Sequence, residues 1–236
     1  MHDIQSRVAQ LDWTALTADL DARGYATTGA VLLPDECNRI VAGHEMPGLF
    51  RSHVIMARHD YGQGEYKYYA YALPELTAGL RKAVYAELAP VANRWAGSLK
   101  RDITYPDAHE AFPARCHEAG QTRPTPLLLQ YRESDYNCLH QDLYGDLSFP
   151  LQMTFLLSRP GVDFEGGEFV LTEQRPRMQS RPEVVSLVQG EAVIFAVNQR
   201  PVRGTRGIYR TAMRHGVSRL RAGHRHTLGI ILHDAR

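Results

Sequence analysis

The sequence is poor in cysteine, carries almost no net charge and contains no long apolar run. Its three cysteines, Cys37, Cys116 and Cys138, form no Cys-x-x-Cys pair, which argues against a disulfide framework and a thiolate zinc site. The formal net charge of +1 gives no overall attraction to nucleic acid or to a membrane. An isolated cysteine is more often a small buried hydrophobe than a nucleophile, so we do not expect Cys138 to be catalytic.

No stretch approaches the roughly 18 consecutive apolar residues that a membrane-spanning helix needs. The first residues, "MHDIQSRVAQLDW", lack the charged head and apolar centre of an export signal. We therefore expect a cytoplasmic protein without a membrane association. Apolar residues make up 44% and charged residues 22% of the chain, which is typical of a globular protein. The 236 residues are predicted to form a single domain.

The first half of the chain has the apolar spacing of helices. One helix is predicted in "DWTALTADLDARGY", between Asp12 as its N-cap and Gly24 as its stop. Others are predicted in "PDECNRIVAGHE" and in the longer "LPELTAGLRKAVYAELAPVANRWAGSL", which Pro90 is expected to kink or divide. The intervening "RHDYGQGEYKYYAYALP" is predicted to be either a ligand-binding loop or a loop packed on the core.

From about residue 124 the pattern changes to short β-like runs separated by turn residues. The spacing leaves no room for crossover helices, which favours an antiparallel sandwich or barrel. We therefore predict an α+β fold in which residues 1–123 are mainly helical support and a substrate loop, residues 124–236 form the barrel, and the helices pack on its outside. Seven strands are predicted, near "TPLLLQYR", "FPLQMTFLLS", "GGEFVLT", "EVVSLVQ", "EAVIFAV", "YRTAMRHGVSRL" and "RHTLGIILH".

The segment "HQD" places His140 and Asp142 two residues apart, just before an apolar run. On an extended chain these side chains point to the same side, so both can reach one ion. The pair alone is weak evidence in a chain with 11 histidines. A third ligand should come from a neighbouring strand, and His215 lies in the penultimate predicted strand. Two histidines and one carboxylate are the donor set of non-haem Fe(II) oxygenases.

Ten residues after His215, Arg225 and Thr227 share one face of the last predicted strand, while His226 points the other way. A cation and a hydroxyl side by side would bind the distal carboxylate of a metal-chelating diacid. A catalytic zinc hydrolase site also uses two histidines and a carboxylate, but it leaves Arg225 and Thr227 without a role. Considered singly, His215 suits a packed core position and Arg225 suits a structural ion pair, for example with Glu168.

Taken together, His140-x-Asp142, His215 and Arg225-x-Thr227 resemble the Fe(II)/2-oxoglutarate-dependent oxygenases, whose fold is a double-stranded β-helix or jelly-roll barrel. The segment "DFEGGEF" also resembles their glycine turn, and the resemblance covers about residues 124–234. It implies an enzyme that uses Fe(II), 2-oxoglutarate and O2. It implies that His140, Asp142 and His215 bind iron and that the C5 carboxylate of 2-oxoglutarate is held by Arg225, Thr227 and, as in prolyl-hydroxylase-like members, Tyr131.

A wider pattern, including "YGQGEYKYYAY", "HQDLYGD" and "FEGGEFVLTEQRPRMQS", resembles a bacterial oxygenase family described as acting on alkylated DNA, with an AlkB-like activity. This resemblance implies oxidative demethylation of a nucleobase in DNA or RNA. The alternative is a hydroxylase of a protein side chain or a small metabolite. A non-catalytic jelly-roll sensor is disfavoured, because all three ligands are present. No obligate protein partner is indicated.

Basic residues are concentrated near the C-terminus. With "EQRPRMQSRP" they predict either a phosphate-binding rim near the iron or an ordinary solvated face. Tyr66 and Tyr68, with Tyr61 and Tyr69 as further candidates, are expected to stack on a base. Arg203 and Arg206 are expected to contact the substrate, either as part of the phosphate-binding rim or, in the alternative hydroxylase, through one of them pairing with an acidic group of the substrate. Eight arginines and no acid occur between positions 200 and 225: Arg200, Arg203, Arg206, Arg210, Arg214, Arg219, Arg221 and Arg225.

Overall fold

The computed structural model describes residues 3–205 and 207–236. Within them, the α-helices are α1 (Ile4–Ala9), α2 (Trp13–Arg23), α3 (Pro34–Ala42), α4 (Glu75–Ser98) and α5 (Ala111–Glu118). The strands are β1 (Tyr25–Ala30), β2 (Phe50–Ile55), β3 (Gly62–Gln63), β4 (Glu65–Tyr69), β5 (Leu127–Arg132), β6 (Tyr136–His140), β7 (Leu151–Leu156), β8 (Phe164–Gly166), β9 (Phe169–Gln174), β10 (Arg181–Val185), β11 (Glu191–Ala196), β12 (Gln199–Gly204), β13 (Gly207–Val217) and β14 (Leu220–Ile230). In this part of the chain, no helix is long and apolar enough to span a bilayer.

The predicted helices are present, and their ends follow the local signals. The Asp12 carboxylate accepts a hydrogen bond from the Ala15 amide at 2.9 Å, and Gly24 ends α2 with a φ of +80°. Pro90 does not divide α4, which runs as one helix of 24 residues. A proline removes a single backbone donor, and buried residues on both sides of it, including Leu88 and Val91, anchor the helix on the core. The short helices α1 and α5 were not predicted.

The tyrosine-rich segment before α4 contains two strands, β3 and β4, rather than only a loop. Strand β4 pairs with β5, from Glu65 opposite Gln130 to Tyr68 opposite Leu127, and with β2 on its other side. Its alternation of charged residues and tyrosines has the period of two that suits a half-buried strand. The first half of the chain therefore contributes strands to the barrel in addition to helices.

Two antiparallel sheets form the barrel. The larger sheet has the order β1-β11-β7-β14-β5-β4-β2, with β8 pairing to β14, and the smaller has the order β10-β9-β13-β6-β3, with β12 pairing to β13. All seven predicted strands are present. Strands β6, β8 and β12, which were not predicted in the second half, complete the sheets. The predicted α+β jelly-roll class is confirmed.

Side-chain alternation on the larger sheet separates two cores. On β7, Leu151, Met153 and Phe155 pack with the helices, whereas Leu156 joins a second cluster enclosed between the sheets. Strand β11 divides in the same way, since Ile194 belongs to the helix-side cluster and its neighbours Val193 and Phe195 belong to the inner one. The helices thus cover the outer face of the larger sheet, and its inner face is available for a site.

One predicted phosphate-binding residue, Arg200, is buried instead. Its guanidinium donates to the Glu173 carboxylate at 2.5 Å and to the backbone carbonyls of Asp21 and Ala22. These bonds tie β12 to β9 and to the end of α2. A buried cation is stable only when it is paired and hydrogen-bonded, so Arg200 serves the fold and belongs to neither of the two surfaces predicted for it, the phosphate-binding rim or the solvated face.

We predict that Arg200→Met lowers the free energy of unfolding by about 3 kcal/mol, because it removes one partner of a buried ion pair. Arg203→Met on the same strand is the matched control, since Arg203 is exposed, and it should change stability by less than about 0.5 kcal/mol. Urea unfolding measures both. Equal midpoints for the two variants would contradict the structural role of Arg200.

Candidate functional site

The pairing of β6 with β13 brings three candidate metal ligands together. His140, the last residue of β6, lies directly opposite His215 of β13, and their ring centroids are 4.2 Å apart. Asp142 follows two residues later, with one carboxylate oxygen 3.4 Å from His140 Nε2 and the other 3.2 Å from His215 Nε2. The three candidate ligand atoms all lie within 4.8 Å of one another.

Polar contacts and burial around the triad affect the protonation of its three side chains. His140 Nδ1 lies 2.8 Å from the Cys138 carbonyl oxygen, which it bonds as a donor, so the Nε2 lone pair faces the shared point. Burial raises the pKa of Asp142, but the interactions with the His140 and His215 imidazoles outweigh it and hold that pKa well below its usual range. Burial lowers the pKa of His215. A carboxylate and two imidazole nitrogens at one point fit a divalent ion such as Fe(II).

Two further side chains hold the Asp142 carboxylate from outside the triad. The Tyr144 hydroxyl donates to Oδ1 at 2.6 Å, and the Gln152 side-chain amide donates to Oδ2 at 2.8 Å. Sequence reasoning missed both residues. The alternation of β7 was the available signal for Gln152, since it places Gln152 on the face opposite Leu151 and Met153; Tyr144 lies in an irregular segment that carries no such signal.

The triad opens into a cavity of about 510 Å³ between the two sheets. Arg225 and Thr227 of β14 line it, whereas His226 is buried on the other side against His44, with ring centroids 6.1 Å apart. His224 is exposed. Arg225 and Thr227 therefore share one face of β14, as predicted. The cavity is further lined by Leu127, Leu129, Tyr131, Asn137, Gln152, Thr154, Phe169 and Gly229.

Arg225 is a buried cation with no carboxylate within 4.0 Å in the described part of the chain. The residue is 2% exposed. Its Nε and Nη1 atoms have no hydrogen-bond partner among the described residues. Burial lowers its pKa to about 10, so it stays charged at neutral pH. Glu168, the structural partner considered above, instead bonds Ser218 and lies 3.5 Å from Arg221. An isolated buried charge is costly, so this wall suits the carboxylate of a small ligand.

Tyr131 completes the same wall. It lies opposite Arg225 in the β5–β14 pairing, and the guanidinium carbon is 5.7 Å from its ring centroid. The Asn137 side-chain amide donates to its hydroxyl oxygen at 3.2 Å. Burial raises the pKa of Tyr131, so the hydroxyl keeps its proton and remains available as a donor. The structure thus brings Tyr131, Arg225 and Thr227 together on one side of the cavity.

The predicted aromatic substrate contacts lie in different places. Tyr66 and Tyr61 line the cavity, and Tyr61 is half exposed. Tyr68 is buried, edge-on to Tyr66, and carries the Arg51 guanidinium 4.5 Å above its ring. Tyr69 packs into the helix-side core. Of these four tyrosines, only Tyr61 and Tyr66 are among the cavity-lining residues.

The predicted arginine contacts are not brought to the triad. Arg203 is exposed on β12 and lies opposite Ile208. Ile208 is seven residues from His215 along β13, which corresponds to roughly 23 Å of extended strand. Arg206 lies outside the described residues. Arg203 on β12 is therefore far from the triad, because the β12–β13 hairpin runs away from the site.

Known proteins resemble the chain in sequence and in fold. A family model described as "Oxygenase, catalysing oxidative methylation of damaged DNA" matches residues 64–235. Two Mycobacterium tuberculosis proteins, named Uncharacterized protein MT2286 and Uncharacterized protein Rv2227, are each 49% identical over 156 residues, which is 66% of this chain and 67% of theirs.

Solved structures with low sequence identity share the barrel. A Trichoplax adhaerens prolyl hydroxylase in complex with a hypoxia inducible factor peptide fragment has a TM-score of 0.54 at 14% identity, covering 97% of this chain and 90% of that one. A 2OG-Fe(II) oxygenase family oxidoreductase from Burkholderia pseudomallei has a TM-score of 0.52 at 16% identity, covering 96% and 94%. These likenesses support the jelly-roll fold. Because the family model covers well over half of the chain, the protein belongs to this oxygenase family.

Proposed function

We propose that this Fe(II)- and 2-oxoglutarate-dependent oxygenase removes methyl groups from alkylated nucleobases in DNA or RNA. The observation that carries the oxygenase chemistry of the proposal is one cavity that holds both the triad of His140, Asp142 and His215 and the Arg225 guanidinium, which has no carboxylate partner among the described residues. A metal-chelating diacid matches both ends of this arrangement. A hydrolytic zinc site would use the triad alone and would leave a buried cation uncompensated.

In this proposal His140, Asp142 and His215 hold the metal. Bound Fe(II) supplies the redox chemistry that couples O2 and the oxidative decarboxylation of 2-oxoglutarate to hydroxylation of a substrate C–H bond. Arg225 and Thr227 bind the distal carboxylate of 2-oxoglutarate through charge-assisted hydrogen bonds, and the protonated Tyr131 hydroxyl adds a donor. Leu127, Leu129 and Phe169 form the apolar parts of the wall and exclude water.

The nucleobase is supported by the family description and by the chemistry of the cavity lining. Tyr61 and Tyr66 offer aromatic faces, and Asp60 adds a carboxylate beside them. A base methylated on a pairing ring nitrogen carries a positive charge, which favours stacking on aromatic rings and a nearby acid. An oxygenase acts on an existing methyl group, so we write the reaction as demethylation: hydroxylation gives an unstable N-hydroxymethyl group that leaves as formaldehyde.

We expect the protein, supplied with Fe(II), 2-oxoglutarate and air, to release formaldehyde and succinate from an oligonucleotide containing one 3-methylcytosine. The matched unmethylated oligonucleotide should give no formaldehyde. Asp142→Ala should abolish both products, because it removes a metal ligand. Mass spectrometry of the oligonucleotide checks that the methyl group is lost. If succinate release depended instead on a peptide or an amino acid, the nucleobase proposal would fail and a side-chain or metabolite hydroxylase would replace it.

We predict that Arg225→Met weakens 2-oxoglutarate binding by about 30-fold or more, because a buried charge-assisted contact is worth about 2–5 kcal/mol. Calorimetric titration of 2-oxoglutarate into the Mn(II)-loaded protein without oxygen measures this. His224→Gln is the matched control, since it changes the neighbouring exposed residue of β14. An Arg225→Met protein with an unchanged 2-oxoglutarate affinity would refute the carboxylate-binding role.

We predict that Tyr144→Phe weakens divalent metal binding about 10-fold, because it removes the donor that orients the Asp142 carboxylate. Co(II) titration followed by visible absorption in the absence of substrate measures the affinity directly. Tyr66→Phe is the control: Tyr66 lines the same cavity but has no hydrogen bond to Asp142 among the described contacts. Equal Co(II) affinities in the two variants would show that Tyr144 does not position the ligand.

A further inference from the structure

The eight arginines between positions 200 and 225 are sorted by the fold into groups with different surroundings. Arg200 and Arg225 are buried. Arg221 lies 3.5 Å from the Glu168 carboxylate, and Arg219 donates to the Ser134 carbonyl oxygen and lies over the Tyr136 ring. Arg206 lies outside the described residues. The remaining three, Arg203, Arg210 and Arg214, are exposed.

These three arginines lie on one outward face of the β12–β13 hairpin. Arg210 and Arg214 are four residues apart on β13, so they point to the same side. Arg203 lies opposite Ile208, which is on that side as well, and directly opposed residues share a face. The alternate residues Thr211, Met213 and His215 are buried, which fixes the other side as the inner one. We call the outward side, defined by Arg203, Arg210 and Arg214, the arginine face.

No acid balances the arginine face. None of its three guanidinium groups has a carboxylate within 4.0 Å among the described residues, and all three lie on the same two neighbouring strands. The sequence contains no aspartate or glutamate from position 192 to position 233. Arg210 also donates to the Leu99 carbonyl oxygen at 3.4 Å, which brings the exposed Lys100 to the edge of the same face. The face therefore has a local excess of positive charge that the net charge of the chain conceals.

The arginine face begins next to the catalytic cavity. Arg214 directly precedes His215, so the strand that carries the arginines on its outside carries a triad residue on its inside. Strand β6 is the neighbour of β13 at this end, about 5 Å away. It ends beside the cavity, where Leu139 and Leu143 are 45% and 47% exposed. From Arg214 to the position of Ile208 the face extends for roughly 20 Å, the length of about six phosphates of one DNA strand.

We propose that the arginine face binds the phosphate backbone of the nucleic acid whose methylated base enters the cavity. This inference rests on the proposed function and adds to it: the enzyme acts on a polymer held outside the smaller sheet, rather than on a free nucleoside. The backbone runs along the outside of β13 and passes over β6, and one base turns inward over Leu139. Affinity comes from the face, and the choice of methyl group comes from the cavity.

The test compares two triple variants with equal loss of charge. Arg203→Gln/Arg210→Gln/Arg214→Gln removes the face, and Arg39→Gln/Arg115→Gln/Arg123→Gln removes three exposed arginines on other surfaces. Binding of a fluorescent unmethylated oligonucleotide is measured by anisotropy over a range of salt concentrations. The slope of log affinity against log salt is negative, and its magnitude should decrease by about two to three in the first variant and by less than about one in the second. Thermal unfolding checks that both variants are folded.

Turnover of a short substrate separates this inference from the proposed function. The face variant should demethylate a methylated mononucleotide at the wild-type rate but should lose at least about 10-fold in kcat/KM on a long oligonucleotide. Equal losses of oligonucleotide affinity in both variants, or no loss in the face variant, would overturn the inference. The proposed demethylation reaction would be unaffected by that result. Salt-dependent binding that is lost with the face, in a protein that demethylates nothing, would support the face and refute the proposed reaction.

Discussion

The register between β6 and β13 is the constraint on which the site depends. His140 lies opposite His215, and a shift of one residue would turn one of the imidazoles to the other side of the sheet. Gly216 helps to set this register, since a Cβ at that position would lie 2.6 Å from the Asn137 carbonyl oxygen. Only glycine allows β13 to approach β6 so closely, and the two histidines meet because of that approach.

The larger sheet separates the polar groups of the cavity from the apolar core that it forms with the helices. Each of its central strands places apolar residues toward the helices and can therefore present polar residues to the cavity. On β7, Met153 packs with the helices, while Gln152 and Thr154 line the cavity. Burial of apolar area on the helix side, worth about 25 cal/mol per Å², offsets the cost of burying Arg225 with no carboxylate partner among the described residues.

The role of each charged residue in this protein depends on its local surroundings, which the net charge of the chain does not show. The formal net charge of +1 arises because acids elsewhere in the chain offset an acid-poor C-terminal segment, whose arginines the fold distributes between the core, the cavity and the surface. Arg200 shares the core with Glu173, Arg225 faces the cavity, and Arg214 faces solvent. The same residue type thus stabilises the fold, prepares a site for an anion and leaves a basic surface, because the pleat sends alternate residues of a strand to opposite sides.

Local patterns in the sequence determined the caps of α2, the seven predicted strands of the second half, and the pairs His140-x-Asp142 and Arg225-x-Thr227, since each depends on a few neighbouring residues. The family follows from the order of these motifs. Only the tertiary structure decided that Tyr144 and Gln152 bond to Asp142, that Arg200 is buried, that Tyr68 lies outside the cavity lining and that residues 65–69 form a strand. Those outcomes depend on which distant segments pair and in what register, and short-range periodicity does not encode that choice.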